Sequence, residues 1–446
     1  MKWNILLVCT IILVFNACAP NKPYRVIGPI DCKTDIDKCK KSYLEKHENY
    51  DLAFVEFSER GNLFSNERAS KVLEKIKEQA ASKKGVALIT FIHGWKHNAH
   101  NDDANVKDFK KVLKEISEIE ITLPNGTKQR ILNERKLMGL YIGWRGLSVH
   151  GLGLENGTFW DRKAVAEKMG KGVSDILLNV NSLINQKKEN LSLTIGHSFG
   201  GAITLSAMNK IVLTKLIEAK YSGNKPSNFG DGIILLNPAI EANEILQLKE
   251  ESMRVGNKIT DNTSRPLMYI VSSKGDTATH CIFPPGQFLG TALNWNEEDL
   301  TRQYNNTEYI LDEYDLDLET IGNYKPFRTG EILDKENQKE ILKEKKLTFN
   351  ENELGDWKYQ SKCNENSSEY LPCTENEPLQ FLYTSKSFIG DHGDIFNRNV
   401  KSYLASIISN SLYNQTSGAN VFEKCSNKDK SFNFWGCFDY HYSNFE

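Results

Sequence analysis

The chain has 446 residues, with 56 Lys and Arg against 58 Asp and Glu and a formal net charge of −2. That length allows one large α/β domain with insertions, or two domains of ordinary size, with ample material for a buried core. The near-neutral balance, without a basic block or stripe, argues against nucleic acid as a partner.

The chain opens "MKWNILLVCTIILVFNACAP". Lys2 gives a positive start, and Ile5 to Phe15 is an apolar run, interrupted only by Thr10, too short to span a membrane comfortably. By length and charge, residues 1–17 are a secretion signal. The stretch also resembles a bacterial lipoprotein signal. That resemblance implies that Cys18 carries a lipid and begins the mature chain. The protein would then be exported and held to a membrane, on the outer membrane or facing the periplasm. An ordinary cleaved signal peptide is the other reading. No second long apolar run follows.

Nine cysteines are present, seven of them beyond Cys18. Cys32 and Cys39, Cys363 and Cys373, and Cys425 and Cys437 lie close in pairs, and Cys281 is left over. In an oxidising compartment, neighbouring pairs of this kind become disulfides. No C-x-x-C repeat suggests zinc.

Residues 18–50 read as a polar tether with a small disulfide loop. "LAFVEFSE" (52–59) alternates as a strand, and "NERASKVLEKIKEQAASKK" (66–84) has helical spacing. "GVALITFIHGW" (85–95) is a buried-type strand, and "DANVKDFKKVLKEISEI" (103–119) is an amphipathic helix with Asp103 as its cap. "ITLPNGTKQRIL" (121–132) reads as a hairpin around Asn125-Gly126. Strand 136–146, helix 163–186, strand 191–195 with a turn to 201, helix 202–220, and strands 231–240 and 265–276 follow. Residues 281–378 are polar and read as an irregular insertion, a candidate lid. A last strand (379–387), a last helix (394–413) and an aromatic tail (414–446) close the chain. Alternating strands and helices predict an α/β fold, a mostly parallel sheet with helices on both faces. Such sheets place ligands beyond the carboxyl ends of their strands.

At one such end stands "TIGHSFGG" (194–201). Gly-x-Ser-x-Gly spacing is cheap by itself, but here it joins a strand to an amphipathic helix, the setting a nucleophile elbow requires. Ser198 is the candidate nucleophile. A serine hydroxyl needs a base, and His392 in "SFIGDHGDIFN", between the last strand and the last helix, fits by order and location. Asp276 in "SSKGD" is the candidate carboxylate for that base, with Glu241 as runner-up. Asp391 and Asp394 lie too near His392 in sequence, and Asp394 is expected to cap the last helix. "FIHGW" (91–95) is placed to give a second oxyanion donor through the Trp95 amide, beside that of Phe199. His93, and His197 beside the nucleophile, are candidate substrate-side residues, although packing is the expectation for His197. Arg145 in "GWRG" is a candidate for an anionic substrate group, or else for an ion pair with Asp161. His93, His97 and His100 lack a metal-binding pattern, and a polar loop is the plainer reading.

The segments "HGW" (93–95), "GHSFGG" (196–201), "GD" (275–276) and "DHGD" (391–394) resemble the α/β-hydrolase superfamily, over about residues 85–280 and 379–413. The resemblance implies that Ser198, His392 and Asp276 form a triad, with Trp95 and Phe199 giving the oxyanion amides. The expected function is a serine hydrolase acting without cofactor or metal on small-molecule or lipid carboxylic esters. A peptidase, thioesterase or acyltransferase on the same triad is the alternative, as is a non-catalytic surface-binding lipoprotein.

Overall fold

The computed structural model describes residues 19–122, 128–148, 159–256, 266–285, 287, 299–304, 307–334, 339, 357–363, 369–374 and 377–416. Residues 1–17, the expected signal segment, together with Cys18, the expected Cys425 and Cys437 pair and the aromatic tail, lie outside these residues.

Strand formation follows the apolar runs. In chain order the strands are β1 (Ile30–Asp31), β2 (Leu44–Lys46), β3 (Tyr50–Glu56), β4 (Val86–Ile92), β5 (Glu120–Thr122), β6 (Lys128–Arg130), β7 (Lys136–Gly143) and β8 (Leu191–His197). They continue with β9 (Gly232–Leu236), β10 (Met268–Ser273), β11 (Leu300–Tyr304), β12 (Thr307–Leu311), β13 (Gly330–Asp334), β14 (Trp357–Ser361) and β15 (Leu379–Thr384). Eleven form one sheet in the order β1-β2-β3-β7-β4-β8-β9-β10-β15-β13-β14. From β3 to β13 every neighbouring pair is parallel. β2 and β14 run antiparallel at the two margins. β5 with β6 and β11 with β12 are separate antiparallel hairpins.

Strands β4, β8, β9 and β10 are buried along their whole length. That is why they read as continuous apolar runs rather than as alternation. On β4, Val86, Leu88 and Ile92 enter one core layer, and Ala87, Ile89 and Phe91 enter the other. Helices α1 (Asn66–Ala80), α3 (Phe159–Ile184), α4 (Phe199–Ser222) and α5 (Leu246–Gly256) cover the first face. Helices α2 (Ala104–Glu118) and α6 (Arg398–Thr416) cover the second. Asp103 caps α2 by accepting the Asn105 amide, as its sequence position predicts.

The 19–50 segment is not a loose tether. Glu56 accepts the amides of Tyr24 and Arg25, and the Arg25 guanidinium is buried against Glu45. The polar 281–378 region is not wholly irregular either, because β13 and β14 extend the main sheet beyond β15. The final helix begins at Arg398 rather than 394. Asn397, not Asp394, accepts the Val400 amide at its start. Disulfides Cys32–Cys39 and Cys363–Cys373 are formed, and Cys281 is an exposed free thiol. No helix among the described residues is long and apolar enough to cross a membrane.

Candidate active site

The centre of the sheet sets the site. β8 ends at His197, Ser198 turns the chain, and α4 starts at Phe199. Ser198 has φ 55° and ψ −124°, a conformation L-residues avoid. Its amide donates to the Leu236 carbonyl (3.2 Å), and its carbonyl accepts from Gly201 (2.9 Å) and Ala239 (3.2 Å). These bonds hold the strained turn on both sides. Gly200 is required there because a Cβ would collide with the Ile92 carbonyl of β4.

His392 lies on the loop between β15 and α6. Its Nε2 is 2.7 Å from Ser198 Oγ, and its Nδ1 is 2.8 Å from Asp276 Oδ1. A carboxylate only accepts, so the ring proton sits on Nδ1 and the Nε2 lone pair receives the serine hydroxyl. The His392 side chain is 23% exposed and that of Asp276 0%. Asp276 follows β10 and also accepts the amides of Ala278 (3.0 Å) and Thr279 (3.1 Å). Burial opposes the charge on Asp276, but the bond to His392, its charge and the Thr279 donors outweigh burial and hold the carboxyl below its usual range.

The turn after β4 lies against Ser198. A Cβ on Gly94 would come 2.6 Å from Ser198 Cβ and 3.2 Å from Ser198 Oγ. Trp95, the next residue, packs edge-on against Phe159 at 5.5 Å and against Phe199 at 6.5 Å. Phe199 is the first residue of α4, so its amide has no partner within the helix.

Other expected site residues have different duties. His93 is fully buried and not on the substrate side. Its Nδ1 donates to the Gly94 carbonyl (3.0 Å), its Nε2 accepts the Trp144 amide (3.1 Å), and its ring stacks on Trp144. Burial pushes its pKa down to about 4. His197 is 2% exposed and packs behind the site, with Nε2 donating to the backbone carbonyl of His392 (2.8 Å). Arg145 binds Glu59 and the carbonyl of Ala19 (2.7 Å), so its guanidinium is held by the protein rather than offered to an anion. Asp161 pairs with Arg162, not Arg145. Glu241 pairs with Lys163 and Gln287, away from the histidine it was a candidate to orient. Asp391 and Asp394 shape the His392 loop by accepting its own amides.

Sequence reading missed the supports of that loop. Ser273 Oγ donates to the Ile389 carbonyl (2.7 Å), and Asn237 Nδ2 reaches the His392 carbonyl (3.3 Å). Both stand at carboxyl ends of strands, which was the available signal.

Among the described residues, Cys32, Cys39, Glu45 and His47 bring potential metal ligands together. The two sulfurs are bonded to each other, and Glu45 is engaged by Arg25, Lys110 and His47. Those bonds leave the group unsuited to a cation. No protein-family model, curated protein or solved structure matches the chain.

Proposed function

We propose that this chain is a serine hydrolase of the α/β-hydrolase type that cleaves carboxylic esters. The observation that carries the reading is the unbroken hydrogen-bonded line from Ser198 through His392 to Asp276. The order of these three along the chain, their places at strand ends and the positive φ of Ser198 support it.

In this reading Ser198 Oγ attacks the ester carbonyl while His392 Nε2 takes its proton. Asp276 holds the tautomer and stabilises the imidazolium. The negative charge on the carbonyl oxygen develops before the N-terminus of α4, where the amides of Phe199 and Trp95 donate to it. The carbon–oxygen bond to the leaving alkoxide breaks, and His392 gives that alkoxide its proton. An acyl group then remains on Ser198. Water, losing a proton to His392, attacks the acyl carbon and releases the acid and the free serine. These side chains carry every step, so the reading calls for no cofactor.

The same proposal places the protein outside the cytoplasm, anchored through lipid on Cys18, on the outer membrane or facing the periplasm. There it would meet small-molecule and lipid esters. The two disulfides support an oxidising compartment.

A fluorophosphonate probe tests the reading. The folded protein should label, and Ser198→Ala should abolish labelling. Failure of the folded wild-type protein to label would favour a binding protein on this scaffold. A panel of ester, thioester and peptide substrates then assigns the acyl group.

A further inference from the structure

We propose that His197 and Asn237 form a clamp that positions the base, holding the backbone of His392 so that its ring spans Ser198 and Asp276. The inference rests on the hydrolase reading and names two positioning residues for it.

The backbone carbonyl of His392 is the meeting point. It accepts from His197 Nε2 at 2.8 Å and from Asn237 Nδ2 at 3.3 Å. Asn237 Nδ2 also reaches the carbonyl of Asp391 at 3.4 Å. Both donors sit on the rigid centre of the sheet. His197 is the last residue of β8, bonded directly to Ser198, and Asn237 follows β9. The nucleophile and the backbone that carries its base are therefore joined by one side chain.

Asn237 is built for one orientation. Its φ is 43°, a left-handed value that asparagine tolerates better than most residues. Its amide donates to the Val271 carbonyl (2.8 Å), and its Oδ1 accepts the Ser273 amide (3.1 Å). With Oδ1 committed to a donor, Nδ2 must face the His392 loop.

His197 is equally constrained. A carbonyl only accepts, so its Nε2 carries the proton. Its Nδ1 is buried with no partner among the described residues, so the ring is neutral. The His392 ring lies 4.9 Å away. Burial first, and then the neighbouring His392, drive the His197 pKa far below its usual value. His197 consequently stays neutral when His392 becomes an imidazolium, and adds no opposing charge beside it. An apolar side chain such as leucine would occupy much of the space but lose the bond.

The test uses the fluorophosphonate labelling rate, separated into maximal rate and probe affinity. His197→Gln keeps a donor near the Nε2 position and should label within about threefold of wild type. His197→Leu should lower the maximal rate about 10²-fold with little change in probe affinity, as expected for a catalytic group moved by about 1 Å. Asn237→Asp keeps the acceptor for Ser273 but loses the donor, and should lower the maximal rate about tenfold. Thermal melting identifies any variant that fails to fold, and the Asn237→Asp result then stands alone. The low-field proton resonance of His392 Nδ1–H should broaden or move in His197→Leu and remain in His197→Gln. Equal maximal rates in wild type, His197→Leu and Asn237→Asp would overturn the clamp and leave the triad intact. Absence of labelling in wild type would instead remove the hydrolase reading itself.

Discussion

Gly94→Ala is the sharpest perturbation available at the site. Gly94 does not have a positive φ, so alanine meets no backbone penalty there, only a question of space. Its Cβ would lie 2.6 Å from Ser198 Cβ, 2.9 Å from the His197 carbonyl and 3.2 Å from Ser198 Oγ. Carbon atoms rest at roughly 3.5–4.0 Å, so about 1 Å of movement is required. None of these atoms is the tip of a long, flexible side chain. The Ser198 backbone is held by Leu236, Gly201 and Ala239, so either the nucleophile or the 93–95 turn must shift. Either shift spoils the 2.7 Å contact with His392 or, on the proposed reading, the placement of the Trp95 and Phe199 amides. A misplacement of that size costs about 10²-fold in rate, or about 2.7 kcal/mol of barrier. Stability should fall by about 1–3 kcal/mol from overpacking. Gly139→Ala on β7 is the control. Its Cβ would press on Leu113, Leu52 and Phe109, all in the opposite core layer from α4. It should cost comparable stability and leave the labelling rate in place. The assay is fluorophosphonate labelling beside thermal melting. A Gly94→Ala protein that labels at the wild-type rate would refute the placement of the 93–95 turn against Ser198.

Three further outcomes are expected. Asp276→Asn should lower turnover by about 10⁴-fold through loss of the correct His392 tautomer, whereas Glu241→Gln should leave it unchanged; the reverse result would move the acid to Glu241. Acid should destabilise the fold through His93. Its folded pKa of about 4 lies below that of an unfolded imidazole, near ~6.5, so only the unfolded chain gains a proton as pH falls between them. The loss from His93 is about 2 kcal/mol at pH 5, read as a lower urea midpoint than at pH 7, and an unchanged midpoint would refute it. Replacing Cys32 and Cys39 by serine opens a loop with a sequence separation of 7 and should cost about 2 kcal/mol, and an unchanged melting temperature would show that the bond adds no stability.

The central strands and the elbow were legible because their signals are local. "VALITFI" and "LSLTIGH" are buried on both faces, and the Gly-x-Ser-x-Gly spacing marks the turn within a few residues, although the contacts that demand Gly200 and Gly201 come from β4 and Pro238. The margins of the sheet were not legible. β13 reads "GEILD" and alternates between buried and half-buried positions, too short and polar to stand out in a charged stretch. The start of α6 was misplaced because Asp391 and Asp394 serve the loop, not the helix. Arg145 shows the deeper limit. Its partner Glu59 lies 86 residues away, and no local pattern encodes that pairing. The His197 and Asn237 contacts to His392 span 195 and 155 residues and were invisible for the same reason.

His392 lies 194 residues after Ser198. A ribosome adding roughly 5–20 residues per second needs roughly 10–40 s to cover that distance. Throughout that interval the residues of β8 and of the Ser198 turn have been made, but the serine has no base. The strand that carries His392 toward the site, β15, must enter between β10 and β13, both made before it. On the proposed reading, the growing chain therefore carries an unarmed nucleophile past every ester of the compartment that makes it. Reactivity arrives with one of the last strands to be synthesised, and a chain cut short before residue 392 is inert however well its core has folded.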